Sequence, residues 1–181
     1  MKTEKFSSRS EERSDDPEGA GEAPPSISFE IQVDDLSREP TRNLIALHLA
    51  GMDRASPPGT CFALDLSGLQ VPDVTVWSVW QGDRIAGIGA LKMLGPHCAE
   101  LKSMRTHPDF LRRGVAALLL DHILAEAARR GVRRVSLETG SGPDFEPALA
   151  LYRKRGFAAG DAFADYEPSP FNQFFHLVLA S

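Results

Sequence analysis

The chain has 181 residues, of which 42% are hydrophobic, and it carries a formal net charge of −5 at pH 7. This composition is that of an ordinary globular protein, and the negative charge argues against a general nucleic-acid binder. No apolar run approaches the roughly 20 residues that a membrane span needs, so no membrane partner is expected. The two cysteines and five histidines show no ligand spacing, and no metal site is expected.

Residues 1–25 differ in composition from the rest of the chain. Seven acidic residues stand there against four basic ones, and Phe6 is the only large apolar side chain after Met1. Such a segment buries too little apolar surface to offset the entropy of ordering, so we predict a disordered acidic tail. One folded domain is predicted over residues 26–181. The first residues lack the apolar core of a signal peptide, which together with the low cysteine count predicts the cytoplasm.

The first half of the predicted domain reads as a strand, a helix and a hairpin. Alternating apolar residues predict a strand over residues 26–33, and Asp34-Asp35 is predicted to open a helix with Gly51 near its end. Residues 61–70 are ambiguous between a short strand and a helical turn. Three further strands are predicted, at residues 74–81, 84–93 and 98–106. A turn at Gln81-Gly82-Asp83 joins the first two of them.

A turn with two arginines and a glycine, Leu111-Arg112-Arg113-Gly114, precedes a long amphipathic helix. One face of this helix is apolar at the three-and-four spacing, and it comprises Ala116, Leu119, Leu120, Ile123, Leu124 and Ala127. Gly131 is predicted to end the helix in a left-handed conformation. The first N–H groups of a helix point outward and carry partial positive charge, and Gly114 allows a close approach. The turn therefore suits a pyrophosphate.

The last third of the chain adds a strand over residues 133–139, a helix over residues 144–155 and a strand over residues 174–179. Taken together, the elements predict an α/β fold with a mixed sheet of six or seven strands covered by about four helices. The order strand, turn, helix, strand around residue 114 puts a ligand at the turn.

Two segments resemble a known family. The segment MRTHPDFLRRGVAALLLDHIL resembles motif A of the GNAT N-acetyltransferases, and ALALYRKRGF, about forty residues later, resembles their motif B. The resemblance is strongest from about Val74 to Leu179. It departs from the family pattern Gln/Arg-x-x-Gly-x-Gly/Ala at Leu111, which keeps a main-chain contact but not a side-chain contact. Arg112 and Arg113 can compensate with charge. The implied fold is the GNAT fold, with a central, mostly antiparallel sheet.

The resemblance implies acetyl-CoA as the acyl donor. The implied pyrophosphate contacts are Arg112, Arg113, Gly114, Val115, Ala116 and Ala117. The pantetheine arm would pair with the strand over residues 98–106 through main-chain groups of Met104, Arg105 and Thr106. An N–H near Met104 would polarise the thioester carbonyl. The enzymes that this chain resembles often form homodimers, although nothing in the residues demands one.

The resemblance also implies a proton donor. Tyr152 is the tyrosine of Leu-Tyr-x-x-x-Gly-Phe, and it would protonate the departing thiolate. A phenol with its ordinary pKa near 10 needs no large retuning for this role. The alternative interpretation of Tyr152 is an aromatic side chain on the buried face of its helix, packed with Leu149 and Phe157.

The base that takes the proton of the amine stays open between Glu100 and Glu138, two acidic residues inside predicted strands. Glu100 ranks slightly first because its strand also carries the thioester. The structural alternative for Glu100 is an ion pair with Lys102 on the same strand face. For Glu138, at the end of its strand, a structural role is about as well supported as a catalytic one.

The predicted function is acetyl transfer from acetyl-CoA to an amine of a small molecule, by direct attack in a ternary complex. Two alternatives stay open. One is a non-catalytic module that binds or senses acyl-CoA, which Leu111 favours because it removes a side-chain contact to the donor. The other is acetylation of a protein N-terminus or lysine. Tyr152 favours chemistry over binding alone.

Overall fold

The computed structural model describes residues 28–180, so the tail predicted over residues 1–25 lies outside the described residues. The strands in this part of the chain are β1 (Glu30–Val33), β2 (Val74–Gln81), β3 (Arg84–Met93), β4 (Cys98–Thr106), β5 (Arg134–Thr139), β6 (Ala158–Ala159) and β7 (Gln173–Val178). The helices are α1 (Glu39–Ala55), α2 (Leu66–Leu69), α3 (Val115–Arg129) and α4 (Glu146–Lys154), with a short 3-10 helix at Pro108–Phe110. No helix among the described residues is both long and apolar enough to cross a bilayer.

The strands form one mixed sheet in the order β1-β2-β3-β4-β5-β7-β6. Only β4 and β5 are parallel among the neighbouring pairs of residues 28–180. A parallel pair needs a crossover connection, and α3 provides it. The seven strands and four helices confirm the predicted α/β architecture with a mostly antiparallel sheet.

Helices cover both faces of the sheet. Helices α1 and α2 pack on one face, where Leu44 and Ile45 meet the apolar side chains of β2 and β3. Helices α3 and α4 pack on the other face, where Ile123 and Leu149 belong to the larger buried cluster. The predicted apolar face of α3 is the face that is buried, because its residues at three-and-four spacing meet the sheet.

An ion pair ties the end of α4 to α3. The guanidinium of Arg155 donates from Nε to Asp121 Oδ1 at 2.5 Å and from Nη2 to Asp121 Oδ2 at 2.8 Å. This two-point geometry fixes both the distance and the orientation between the two groups. The C-terminal end of α4 therefore keeps a defined position beside α3.

The predicted start of the first helix is wrong by about four residues. Helix α1 begins at Glu39 because the carboxylate of Asp34 holds a turn before the helix. Its Oδ1 accepts from the N–H of Leu36 at 2.8 Å, and its Oδ2 accepts from Thr41 Oγ1 at 2.9 Å. The helix also continues past Gly51 and ends at Ala55.

Three smaller differences concern short or edge elements. Residues 61–70 contain only the one-turn helix α2 and no strand, and the two-residue β6 was not predicted. Val33 is 68% exposed although the alternation assigns it to a buried face. It lies at the end of β1, which is an edge strand and pairs with a neighbour on one side only.

Candidate functional site

The sheet divides between β4 and β5. These strands pair only over Cys98–Glu100 and Arg134–Ser136, and beyond these residues they diverge. A β-bulge in β4 contributes to the divergence: Arg105 pairs with Ile88 and Lys102 pairs with Ala90, so that Ser103 and Met104 together stand opposite Gly89. Ser103 has a positive φ of 54°. Such bulges bend a strand and redirect its side chains, and they often occur beside active sites.

The division leaves the inner edge of β4 without a strand partner after Glu100. Main-chain N–H and C=O groups that lie along an open edge need partners, and an extended ligand can provide them by adding itself as a strand. The segment Leu101–Thr106 is therefore a template for an extended arm. Met104, Arg105 and Thr106, which the sequence analysis selects for main-chain contacts, all lie on it.

Two cavities open on the two sides of this division. The first, of about 420 Å³, lies against helix α1 and is called the α1 cavity; its lining includes residues of α1, β4, β5 and α4. The second, of about 340 Å³, lies against the start of helix α3 and is called the α3 cavity. The residues lining both are Met104, Arg105, Asp144, Ala148 and Tyr152. The two cavities thus meet at the bulge of β4 and at Tyr152.

The α3 cavity ends at the turn that precedes α3. Gly114 is the N-cap of α3 and adopts a left-handed conformation with φ 82°. The first helical hydrogen bond runs from the N–H of Leu118 to the carbonyl of Gly114 at 2.9 Å. The N–H groups of Val115, Ala116 and Ala117 consequently have no intrahelical acceptor and are free for an anion.

Around this turn the side chains have different surroundings. Ala116 and Leu111 line the α3 cavity, whereas Val115 is buried and packs against Gly87. Arg112 is exposed. The guanidinium of Arg113 lies 5.0 Å from the ring centroid of Phe110.

Arg113 also donates to Gln81 Oε1 at 3.3 Å and lies over the ring of Phe29. Its guanidinium thus has partners within the protein, at Gln81 at the end of β2 and at Phe29 just before β1. In the phosphate site predicted from the sequence, the guanidinium of Arg112 is the one without such partners among the described contacts. Main-chain contacts of Arg113 do not depend on where its side chain lies.

Tyr152 lies on α4 between the two cavities and is buried in the main apolar cluster. Its ring packs 5.7 Å from that of Phe157, so the packing predicted as an alternative does occur. Burial raises the pKa of the Tyr152 phenol well above its ordinary value. The expectation of a phenol without retuning is therefore wrong, because the sequence does not show how completely this side chain leaves water.

Glu100 is 3% exposed and lies beneath the α1 cavity rather than in its lining. Its Oε1 accepts from Lys102 Nζ at 2.9 Å, which confirms the ion pair named as the structural alternative. It also accepts from the hydroxyl of Tyr166, which in turn lies 2.6 Å from Lys102 Nζ. The three side chains form a closed triangle in which each group has two partners.

Glu138 lines the α1 cavity at the end of β5. Burial raises the pKa of its carboxyl to about 7; the positive charge of Lys102 opposes this shift and the negative charge of Glu100 adds to it. A carboxyl with such a pKa exists in both protonation states near neutral pH. This is the property that a general base needs.

Two site residues escape the sequence analysis. Tyr166 lies in the segment between β6 and β7, 66 positions from Glu100, and only the folded chain brings the two together. His48 lies on α1 and lines the α1 cavity. Burial lowers the pKa of its imidazole to about 4, with the charge of Arg105 acting in the same direction. No local spacing in the sequence signals either residue.

Comparisons with known proteins agree with this geometry. A family model described as the acetyltransferase (GNAT) family matches residues 36–157. YedL of Escherichia coli (strain K12), described as an uncharacterized N-acetyltransferase, is 50% identical over 151 residues, which cover 83% of this chain and 95% of that protein.

Two solved structures share the fold. A Klebsiella pneumoniae protein assigned as an acyl-CoA N-acyltransferase superposes with a TM-score of 0.72 and 25% identity, covering 85% of this chain and 99% of that one. An Elizabethkingia anophelis GNAT family acetyltransferase with acetyl-CoA bound has a TM-score of 0.62 and 15% identity, covering 83% and 98%.

Proposed function

Since this chain belongs to the acetyltransferase (GNAT) family, we propose that it transfers an acetyl group from acetyl-CoA to an amine of a small molecule. The observation that carries the proposal is the division between β4 and β5, at which two cavities meet beside Tyr152. One cavity can hold the donor and the other the acceptor. Direct attack in a ternary complex needs such a meeting point.

The residues of the α3 cavity fit the donor. Free N–H groups at Val115, Ala116 and Ala117 can bind a pyrophosphate at the start of α3, where the helix dipole adds a positive potential. The open edge of β4 can pair with the amide groups of the pantetheine arm. The bound thioester supplies the electrophilic carbonyl. A main-chain N–H near Met104 would stabilise the oxyanion that develops on it.

Glu138 is the base that we propose, in preference to Glu100. It lines the α1 cavity, and its raised pKa lets it accept a proton from an ammonium group near neutral pH. Glu100 already accepts from both Lys102 and Tyr166 and does not line the cavity. In this proposal Glu100 raises the proton affinity of Glu138 through its charge.

Tyr152 is the acid that we propose. The amine nitrogen forms a bond to the carbonyl carbon, the carbon–sulfur bond breaks, and the phenol of Tyr152 donates its proton to the departing sulfur. Its raised pKa keeps the phenol protonated throughout the neutral range. The sulfur leaves in the same water-poor surroundings, which raise its own affinity for a proton and favour the transfer.

Calorimetric titration with CoA and acetyl-CoA, followed by a thiol-release assay on a panel of amines, tests the proposal. We expect binding of both compounds and amine-dependent release of the thiol. Binding without release from any amine would instead support a non-catalytic acyl-CoA-binding module. Absence of binding would overturn the assignment of the donor site.

A further inference from the structure

Unpartnered polar atoms concentrate in the α1 cavity. Five buried side-chain polar atoms among the described residues have no hydrogen-bond partner, and three of them, His48 Nδ1, Ser103 Oγ and Arg105 Nε, belong to residues that line this cavity. A buried polar group without a partner is costly, and nearly all such groups in folded proteins are satisfied. Three of the five belong to residues around one cavity, which makes this cavity the place where polar groups most lack protein partners.

Arg105 is the charged member of this group. Among the described residues no carboxylate lies within 4 Å of its guanidinium, and Asp144, which lines the same cavity, is not paired with it. A guanidinium is always charged and is shaped to bind a carboxylate through two parallel hydrogen bonds. A group of this kind without a protein partner is suited to an anionic ligand.

The side chain of Arg105 lies on the α1 face of the sheet, although Arg105 lines the α3 cavity as well as the α1 cavity. Arg105 pairs with Ile88, and Ile88 belongs to the apolar cluster beneath α1, so both side chains share that face of the sheet. A Cβ built on Gly51 of α1 would lie only 3.5 Å from Arg105 Nη1. The guanidinium of Arg105 therefore lies directly beside helix α1 at Gly51.

We propose that Arg105, together with His48 and Ser103, binds an anionic group of the acceptor, and that the acceptor is an amine which also carries a carboxylate, as an amino acid does. This inference rests on the proposed function. Glu138 lines the same cavity and receives the amine, so that one cavity provides a negative group for the amine and a positive group for the carboxylate. A volume of about 420 Å³ suits a small molecule of this class.

The closing experiment measures binding and turnover separately. Common L-amino acids and their primary amides are titrated calorimetrically into the free and the CoA-saturated protein, using the wild type, Arg105→Gln and Arg105→Lys. Arg129→Gln, at an exposed arginine in the last turn of α3, is the matched control. The same compounds are then assayed with acetyl-CoA, and the dissociation constant of acetyl-CoA is measured for every variant.

We expect at least one amino acid to bind roughly 10- to 100-fold more tightly than its amide, and Arg105→Gln to remove this difference. Arg105→Lys should keep part of it, and Arg129→Gln all of it. Acetyl-CoA affinity should stay within about twofold. The melting temperature of Arg105→Gln should not fall, because this change removes a buried donor that has no partner.

Equal binding of acids and amides, or no binding of either, would overturn the inference. So would a loss of acetyl-CoA affinity in Arg105→Gln as large as the loss for the amino acid, because Arg105 would then belong to the donor site. Failure of the proposed function gives a different result, namely no binding of acetyl-CoA to the wild type. The titrations of the free protein still test the anion site in that case.

Discussion

The two cavities beside the division of the sheet differ in what they offer a ligand. The α3 cavity offers main-chain N–H groups at the start of a helix and aliphatic side chains such as Leu119 and Leu151. The α1 cavity offers side chains that carry charge or a proton, among them Lys102, Arg105 and Glu138. Apart from the residues that line both cavities, one cavity offers chiefly backbone groups and the other chiefly charged side chains.

This difference separates two tasks of a transferase. Backbone groups persist whichever side chains stand beside them, which suits a donor that stays the same. Side chains can change singly, which suits an acceptor that differs from one enzyme to another. Substitutions should therefore fall into two classes, and a change of Tyr152, the proposed acid at the place where the cavities meet, should affect the chemistry itself.

Tyr152→Phe should have the largest effect because Tyr152 is the proposed acid and lies where the two cavities meet. We expect a fall in kcat of roughly 100- to 1,000-fold, the usual contribution of a positioned acid. The dissociation constants of donor and acceptor should change little. Steady-state kinetics and calorimetry measure both quantities.

The melting temperature is the control for Tyr152→Phe. Removing a buried hydroxyl while keeping the ring that packs on Phe157 should leave stability unchanged or slightly raised. An unchanged kcat in this variant would leave Tyr152 with a packing role only, and the proposed acid would have to be sought elsewhere.

Glu138→Gln, a substitution in the α1 cavity, should have the next largest effect on the rate. The carboxyl accepts a proton only when ionised, so the wild-type rate should rise as pH increases through about 7. The glutamine variant should lack this rise and be roughly 10- to 100-fold slower at pH 8. Profiles of kcat/KM against pH measure the change.

Glu100→Gln is the matched variant for this experiment. Removing its negative charge takes away one cause of the raised pKa of Glu138, so the rise should move to lower pH and not disappear. If the rise disappears in Glu100→Gln and persists in Glu138→Gln, the assignment of the base is reversed.

Gly114→Val tests the α3 cavity through its backbone. Valine is strained at φ 82°, and a turn that relaxes no longer presents the N–H groups of Val115 and Ala116 to an anion. We expect the dissociation constant of CoA to rise about tenfold, while acceptor affinity stays the same. Calorimetry with CoA measures the loss.

The same helix provides the control for Gly114→Val. Gly131 follows the other end of α3 and has a similar φ of 78°, with no atom within 4 Å of a built Cβ. Gly131→Val should lose similar stability and keep its affinity for CoA. Equal losses of affinity in the two variants would indicate general destabilisation instead of a phosphate site.

The smallest expected effect is on the melting temperature of Glu138→Gln. It tests the raised pKa of Glu138 independently of any catalytic role. Its folded pKa, about 7, exceeds the ordinary value of 4.5, so the folded protein holds this proton more tightly than the unfolded chain. The resulting stability is fully present below about pH 4.5 and is lost as pH rises through 7. The melting temperature of Glu138→Gln minus that of wild type should therefore increase by a few degrees from pH 5 to pH 8. An unchanged difference would contradict the raised pKa.

Local rules were sufficient for the turn and helix at the end of the α3 cavity and insufficient for the α1 cavity. The turn, the N-cap Gly114 and the apolar face of α3 lie within one continuous segment, so spacing and glycine conformation predict them. Lys102 and Glu100 are two residues apart on one strand, and the sequence offers their ion pair as the structural alternative to a catalytic Glu100. Their third partner, Tyr166, lies far away in sequence, and only the packing of the segment before β7 brings it there.

The pKa values of the site residues also could not be predicted from the sequence. The pKa values of Tyr152, Glu138 and His48 are all shifted chiefly by burial, and burial depends on which other elements cover each side chain. Likewise, the sequence shows two adjacent arginines at the turn but not that Arg113 rests on aromatic rings. The number of charged residues can be read from a sequence, whereas the groups that each charge contacts are known only from the structure.

The three residue pairs that join β4 to β5 make this sheet two smaller sheets with one narrow seam. An extended molecule hydrogen-bonded to β4 would continue that seam and act as an interior strand of the fold. Those amide hydrogens of Leu101–Thr106 that point to the open edge and not to β3 should then exchange with solvent much more slowly when the donor is present than when it is absent. In the proposed complex the co-substrate would supply the strand that β4 lacks on this side, and its departure would leave that edge of β4 open again.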